Sequence, residues 1–407
     1  MIVRQFLQWV RSAAPGDRAE ATSALARAYL YSDLSTDDRA AAEGAMIMLL
    51  DDPSPLVRQA LSDALASAEK APRVIVHALA GDQPDVALPL LKYSPVLSED
   101  DLVDLVATGR SEAQVAIAAR AMLPGAVAAA VAEVGGEEAC LALMENSEAV
   151  IPLFSLDRIV ERFGHLASIR EALLARNDLA MATRQAVLAK LSQTLAEFVA
   201  GRHWMGSEHA EFAAREACEK ATIALAAETP YEEVGEFVAH LRSSGQLTAG
   251  VILRALLSGN IVVFEEALAE LSGVPAQRAS GYVHDKTISA FRALYDKAGL
   301  PESAYPAFRA AIIALREGAL LSEPGGATRL KRRMVERVLE VCAAEREPAM
   351  ASLLALLRRF AVEAAREEAR AFCEDLVAED HVSVETFEAA PDPHTLPPIV
   401  IDERLVA

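Results

Sequence analysis

Apolar residues recur along this chain at three- and four-residue intervals, interrupted every ten to fifteen residues by Pro, Gly, Ser or Asp, which is the pattern of short amphipathic helices joined by tight turns. The stretch Asp51-Asp-Pro-Ser-Pro-Leu-Val-Arg-Gln-Ala-Leu-Ser-Asp-Ala-Leu-Ala66 is the clearest example. Ser54 is placed to cap a helix with Pro55 at its first turn, and Leu56, Val57, Ala60, Leu61, Ala64 and Leu65 fall on one face. A helix this short is marginal alone, so its apolar face requires a neighbouring helix and then a neighbouring pair.

The pattern returns. Asp82-Gln-Pro-Asp-Val-Ala-Leu-Pro-Leu-Leu91 and Ser111 to Arg120 each open a new apolar face about 30 residues after the last. Second helices lie between, one from Pro72 through Val74, Ile75, Ala78 and Leu79, another from Ser98 through Leu102, Val103, Leu105 and Val106. The latter opens on Ser-Glu-Asp-Asp, which resembles a capping box, and Gly81 and Gly109 stop the two helices. Ile151 to Gly164 and His165 to Arg176 predict a further pair.

Periodicity lapses over Ala200-Gly-Arg-His-Trp-Met-Gly-Ser207 and resumes as helices over 212–227, 231–242, 248–258 and 261–272, with two more around Pro301. After Ser322-Glu-Pro-Gly-Gly-Ala327, the segments 329–345 and 348–379 predict a long helical hairpin. The expected division is a helical array over 1–200, a second helical subdomain over 208–321, the hairpin over 328–380, and an acidic, proline-containing tail over 381–407 expected to be disordered.

Composition sharpens this to an all-α chain. Of 407 residues, 52% are hydrophobic but only 5% aromatic, which suits close helix packing and argues against a β-sandwich. A net charge of −20 repels phosphate backbones and anionic lipid, so neither nucleic acid nor a membrane surface is an expected partner. No apolar run approaches the roughly 20 residues of a membrane span, and Met1 to Val10 reads as an amphipathic helix rather than an export signal. Cys140, Cys218, Cys342 and Cys373 stand singly in helical patterns, as reduced thiols of a cytoplasmic protein do.

Several of these stretches resemble an uncharacterised family of HEAT-like helical proteins found mainly in alphaproteobacteria. The likeness is carried by Ser54-Pro-Leu-Val-Arg58, Asp82 to Leu91, Ser94 to Leu102, Ala116-Ile-Ala-Ala-Arg120, Arg158 to His165, Arg170-Glu-Ala-Leu-Leu174, the Leu253 to Leu268 region and Ala298-Gly-Leu-Pro301. It covers most of residues 20–310 and implies a HEAT-like α-solenoid in a bacterial cytosol. It carries over no catalytic residues.

The residues supply no enzyme chemistry of their own. His203, His209 and Glu211 are poorly spaced for a metal, His284-Asp285 resembles the metal-binding dipeptide of helical phosphohydrolases without further ligands, and Gly135-Gly136 and Gly325-Gly326 lack the strand and spacing of a phosphate loop. No cofactor is expected. The one local departure in charge is Arg329-Leu-Lys-Arg-Arg-Met-Val-Glu-Arg337, whose Arg329, Lys331, Arg332, Arg333 and Arg337 form a candidate partner-binding patch. The apolar stripe Leu353, Leu354, Leu357, Phe360, Ala361, Ala364 and Ala365 is expected to pack on the preceding helix, with self-association through the hairpin as the other outcome.

The expected function is a non-enzymatic protein or peptide interaction module. The alternative is a HEAT-like nucleic-acid binder, similar to the helical-repeat DNA glycosylases, and it turns on whether Arg58, Arg120, Arg158, Arg162 and Arg184 cluster or pair locally.

Overall fold

Short Ala- and Leu-rich segments punctuated by proline and polar caps can satisfy their backbone only as helices, and the computed structural model is helical throughout its regular regions. It describes residues 6, 8–10, 12–285, 287–316, 326–344 and 351–385, and no strand occurs among them. The chain divides into two compact units, 1–221 and 222–407.

In the first unit the helices are α1 (Pro15–Tyr31), α2 (Thr36–Leu49), α3 (Pro55–Leu65), α4 (Arg73–Ala80), α5 (Pro84–Tyr93), α6 (Glu99–Ala107), α7 (Ser111–Ala118), α8 (Gly125–Val134), α9 (Glu137–Glu145), α10 (Leu153–Phe163), α11 (Ala167–Leu174) and α12 (Met181–Gly201). Each packs mainly on the next but one: α1, α3, α5, α7, α9 and α11 form one row, and α6, α8, α10 and α12 form another. Alternate helices therefore share a layer, and a single core runs between the rows.

The α3 segment shows how sequence becomes packing. Val57, Leu61 and Leu65 are fully buried in that core, and burying each such side chain contributes about 1.5–3 kcal/mol. Leu56, expected on this face, is exposed, whereas Ser62 is buried, because α3 presents the 57/61/65 edge to its row neighbours α1 and α5. The α4 face is rotated likewise: Ile75, Val76, Leu79 and Ala80 are buried while Val74 and Ala78 are exposed. Ser54 occupies the cap position of α3 but its hydroxyl makes no cap bond; its N–H instead donates to Asp52 Oδ1 at 2.8 Å. The Ser98 capping box does form, with Asp101 returning the bond to the Ser98 N–H.

Helix α13 (Ser207–Glu228) follows a turn over 202–206 where the periodicity lapsed. The second unit contains α14 (Val234–Ser243), α15 (Ala249–Leu257), α16 (Ile261–Ser272), α17 (Ala276–His284), α18 (Ile288–Lys297), α19 (Tyr305–Arg316), α20 (Gly326–Ala344) and α21 (Ala351–Glu385). Its core is aromatic: Phe264 stacks on Phe308, and Phe291 and Tyr295 pack beside them, all four fully buried. Gly273 ends α16 at φ 64°, a left-handed position that glycine adopts without steric cost. α21 runs on to Glu385, past the end expected at Glu379, and the rest of the tail, 386–407, lies outside the described residues.

Candidate functional site

The candidate surfaces are decided by where the cations and the exposed apolar side chains go. Helix ends leave carbonyls without partners, and these attract cations. In the first unit arginines fill that role across the turns. Arg120 donates from Nη1 to Leu91 O and from Nη2 to Ser94 O, both at 2.6 Å. Arg110 reaches Asp82 O at 2.7 Å, and Arg162 reaches Ala132 O at 2.6 Å and Gly135 O at 2.8 Å. At that last site Gly135 is required by space, since a Cβ would lie 2.4 Å from Val131 O.

The five arginines on which a nucleic-acid groove depends are engaged in this way or by acids. Arg58 forks Asp82 and holds that carboxyl below the ordinary range, while Arg158 bridges Glu133 and Glu161. Arg120 and Arg162 cap carbonyls, and Arg184 donates to Leu179 O at 3.2 Å. Burial lowers the Arg120 pKa, but the guanidinium stays charged.

The basic run lies on α20, and much of its charge is turned onto α21. Lys331 Nζ meets Glu367 Oε2 at 2.7 Å, and Arg332 bridges Glu368 and Glu336 at 2.8 Å each. Arg337 is exposed and Arg333 is half-buried, while the side chain of Arg329 lies outside the described residues. Between these ion pairs Leu353, Leu357, Phe360 and Ala364 of α21 are buried, with Leu354, Ala361 and Ala365 partly covered, and α21 packs on α20. Arg254 on α15 joins the same side of α21. Its guanidinium lies 4.1 Å over the Phe360 ring and donates to Glu363 Oε2 at 2.6 Å, while its Nε and Nη2 are buried with no partner.

The histidines lead elsewhere. His284 Nε2 approaches Glu265 Oε1 at 2.8 Å, and Asp285 accepts from the backbone and hydroxyl of Thr287. His203 is exposed at a left-handed φ of 56° in the turn after α12. Among the described residues, no three His, Cys, Asp or Glu side chains come together as metal ligands.

An apolar surface in the first unit has no counterpart in the sequence reading. A backbone bond from Val150 N to Leu123 O, 3.2 Å, ties the α7–α8 turn to the α9–α10 turn. It brings together Met122, Val150, Leu153 and Phe154, which are 80%, 67%, 58% and 68% exposed. Met122 is left-handed at φ 48°, a conformation that costs a side-chain-bearing residue about 1–2 kcal/mol. Leu153 and Phe154 open α10 on the side opposite its buried Ser155, Leu156, Ile159 and Val160. The available signal was their phase, one step outside the buried stripe.

The described structure defines an all-helical protein, with no helix long and apolar enough to cross a membrane among the described residues. Residues 86–347 match the family model described as an uncharacterised protein conserved in bacteria, DUF2336, and the chain belongs to that family. No curated protein and no solved structure matches it.

Proposed function

We propose that this is a non-enzymatic, cytoplasmic interaction protein: a HEAT-like solenoid over its first 200 residues, a second helical subdomain over 208–321, and a C-terminal helical hairpin over 328–380. The observation that carries this reading is the Met122, Val150, Leu153 and Phe154 cluster, four large apolar side chains held in solvent by two consecutive turns, one of them in a strained conformation. Methionine and phenylalanine are suited to anchoring a protein partner, because one adapts its shape and the other contributes a large rigid area. The two-row packing of α1 to α12 supports the solenoid assignment, since each helix buries its face on the next pair along.

The test is an affinity capture from native bacterial lysate, treated with nuclease, comparing the full chain with its Leu153→Asp/Phe154→Asp variant. A protein partner retained by the first and lost from the second supports the reading. Identical recoveries from both would remove this cluster as the interaction site, and recovery of nucleic acid alone would replace the reading with the nucleic-acid one.

A further inference from the structure

Helix α21 carries two stripes at alternating three- and four-residue spacing, on opposite faces. The inner one is Leu353, Leu357, Phe360 and Ala364, buried. The outer one is Ala355, Arg359, Val362, Arg366, Ala369 and Cys373, and every member is exposed. Arg358, Arg370 and Phe372 flank it, also exposed. Arg358, Arg366 and Arg370 form no ion pair with any described residue. The acids of α21 are spent on the other side, where Glu363, Glu367 and Glu368 meet Arg254, Lys331 and Arg332.

This spacing is the seam of a coiled coil: small or β-branched residues at one core position, Ala355, Val362 and Ala369, and arginine or cysteine at the other, Arg359, Arg366 and Cys373. Alanines at the seam let a second backbone approach closely. The alternating arginines decide its chemistry, because a guanidinium brought to a helix interface needs a carboxylate opposite it. We propose that the outer face of α21 docks an acidic amphipathic helix of a partner protein, presenting carboxylates at the same spacing.

Charge and shape together favour that occupant. A second copy of α21 in parallel register would set Arg359 against Arg359 and Arg366 against Arg366, which disfavours self-pairing. An anionic membrane would meet only Val362 and Phe372 as large apolar anchors, in a chain whose net charge of −20 is repelled by it. The inference deepens the interaction reading and rests on it, but uses a different surface, so the Leu153 and Phe154 variant leaves it untouched.

Cys373 is the one exposed cysteine of the four and stands in the seam, so it reports docking directly. The full chain is treated with N-ethylmaleimide alone, with a synthetic amphipathic helix carrying Glu at seam and flanking positions, with its Lys-for-Glu counterpart, with phosphatidylserine vesicles, and with duplex DNA. The Glu helix is expected to slow Cys373 alkylation at least tenfold at saturation and the Lys helix not at all. Arg359→Glu/Arg366→Glu, two exposed changes whose fold is checked by circular dichroism, is expected to reverse that preference. Equal protection by both helices, protection by neither, stronger protection by vesicles or DNA, or protection that grows with the concentration of the chain alone would each overturn the proposal. If this test fails while the Leu153 and Phe154 capture succeeds, the interaction reading stands without this surface.

Discussion

Asn146 donates its side-chain amide to the carbonyl of Arg120 at 2.7 Å, while Arg120 itself reaches back to Ser94 O. Arg176 continues the series one pair later, with Nη1 at 3.3 Å from both Met144 O and Asn146 O. Ser94, Arg120, Asn146 and Arg176 thus form a ladder in which each helix pair finishes the carbonyl end of the pair before it. Arg120→Ala is expected to destabilise the first unit by about 2 kcal/mol, because half-buried carbonyls lose a charged donor. Arg120→Lys should recover less than half of this, since an ammonium cannot span Leu91 O and Ser94 O as the guanidinium fork does. Urea unfolding followed by circular dichroism reads both.

The Arg58–Asp82 pair gives a pH dependence of definite sign. Arg58 holds the Asp82 carboxyl below its ordinary value, chiefly by the direct hydrogen bond. A depressed carboxyl contributes stability that is fully present above the unfolded value of about 3.9 and is lost as pH falls through the lower folded value. Asp82→Asn should therefore cost about 1 kcal/mol near pH 7. The difference from the parent chain should begin to close below about pH 4. A difference that stays constant down to pH 2 would show that the ion pair contributes nothing.

Cysteine reactivity should separate cleanly. Burial pushes the Cys140 thiol up to about 11, and Cys218 and Cys342 are also buried, whereas Cys373 is exposed. At pH 8 mass spectrometry should find alkylation confined to Cys373 in the folded chain and spread to all four in denaturant.

In the second unit Tyr295 is fully buried and its hydroxyl donates to Pro301 O at 2.7 Å. Tyr295→Phe should cost about 1 kcal/mol through the lost bond. Phe308→Ala, which opens a cavity beside Phe264 and Tyr295, should cost about 3–5 kcal/mol. Thermal unfolding that ranks them the other way would contradict this packing.

Replacing Arg254 by Met is expected to destabilise the second unit by about 3–5 kcal/mol, because Glu363 then loses its buried cation. The Arg254→Met/Glu363→Met double variant should recover most of that loss, since an apolar pair needs no solvation. Absence of recovery in a double-mutant cycle would mean that the Phe360 contact, not the ion pair, is what Arg254 contributes.

Local signals carried the helices well. Ile261–Ser272 was legible to the residue, and so was the Ser98 box, because caps, prolines and apolar spacing act within one or two turns. Which edge of a helix is buried was less so: Leu56 and Val74 are apolar yet exposed, as their neighbours in the row set the rotation. The destination of the basic run could not be read locally, since Lys331 and Arg332 find Glu367 and Glu368 across a separate helix. The ladder was equally hidden. Arg120 and Arg176 look like surface charges until the carbonyls that precede them by roughly one repeat are placed beside them.

The one-way direction of that ladder gives the array a grammar. Donors point toward the amino terminus, so each pair is completed by its successor and owes nothing comparable to its predecessor. Trimming from the front strands only arginines, which water solvates readily, whereas trimming from the back bares carbonyls at a helix end. Growth or loss of repeats in such a chain is therefore tolerated at one end and penalised at the other.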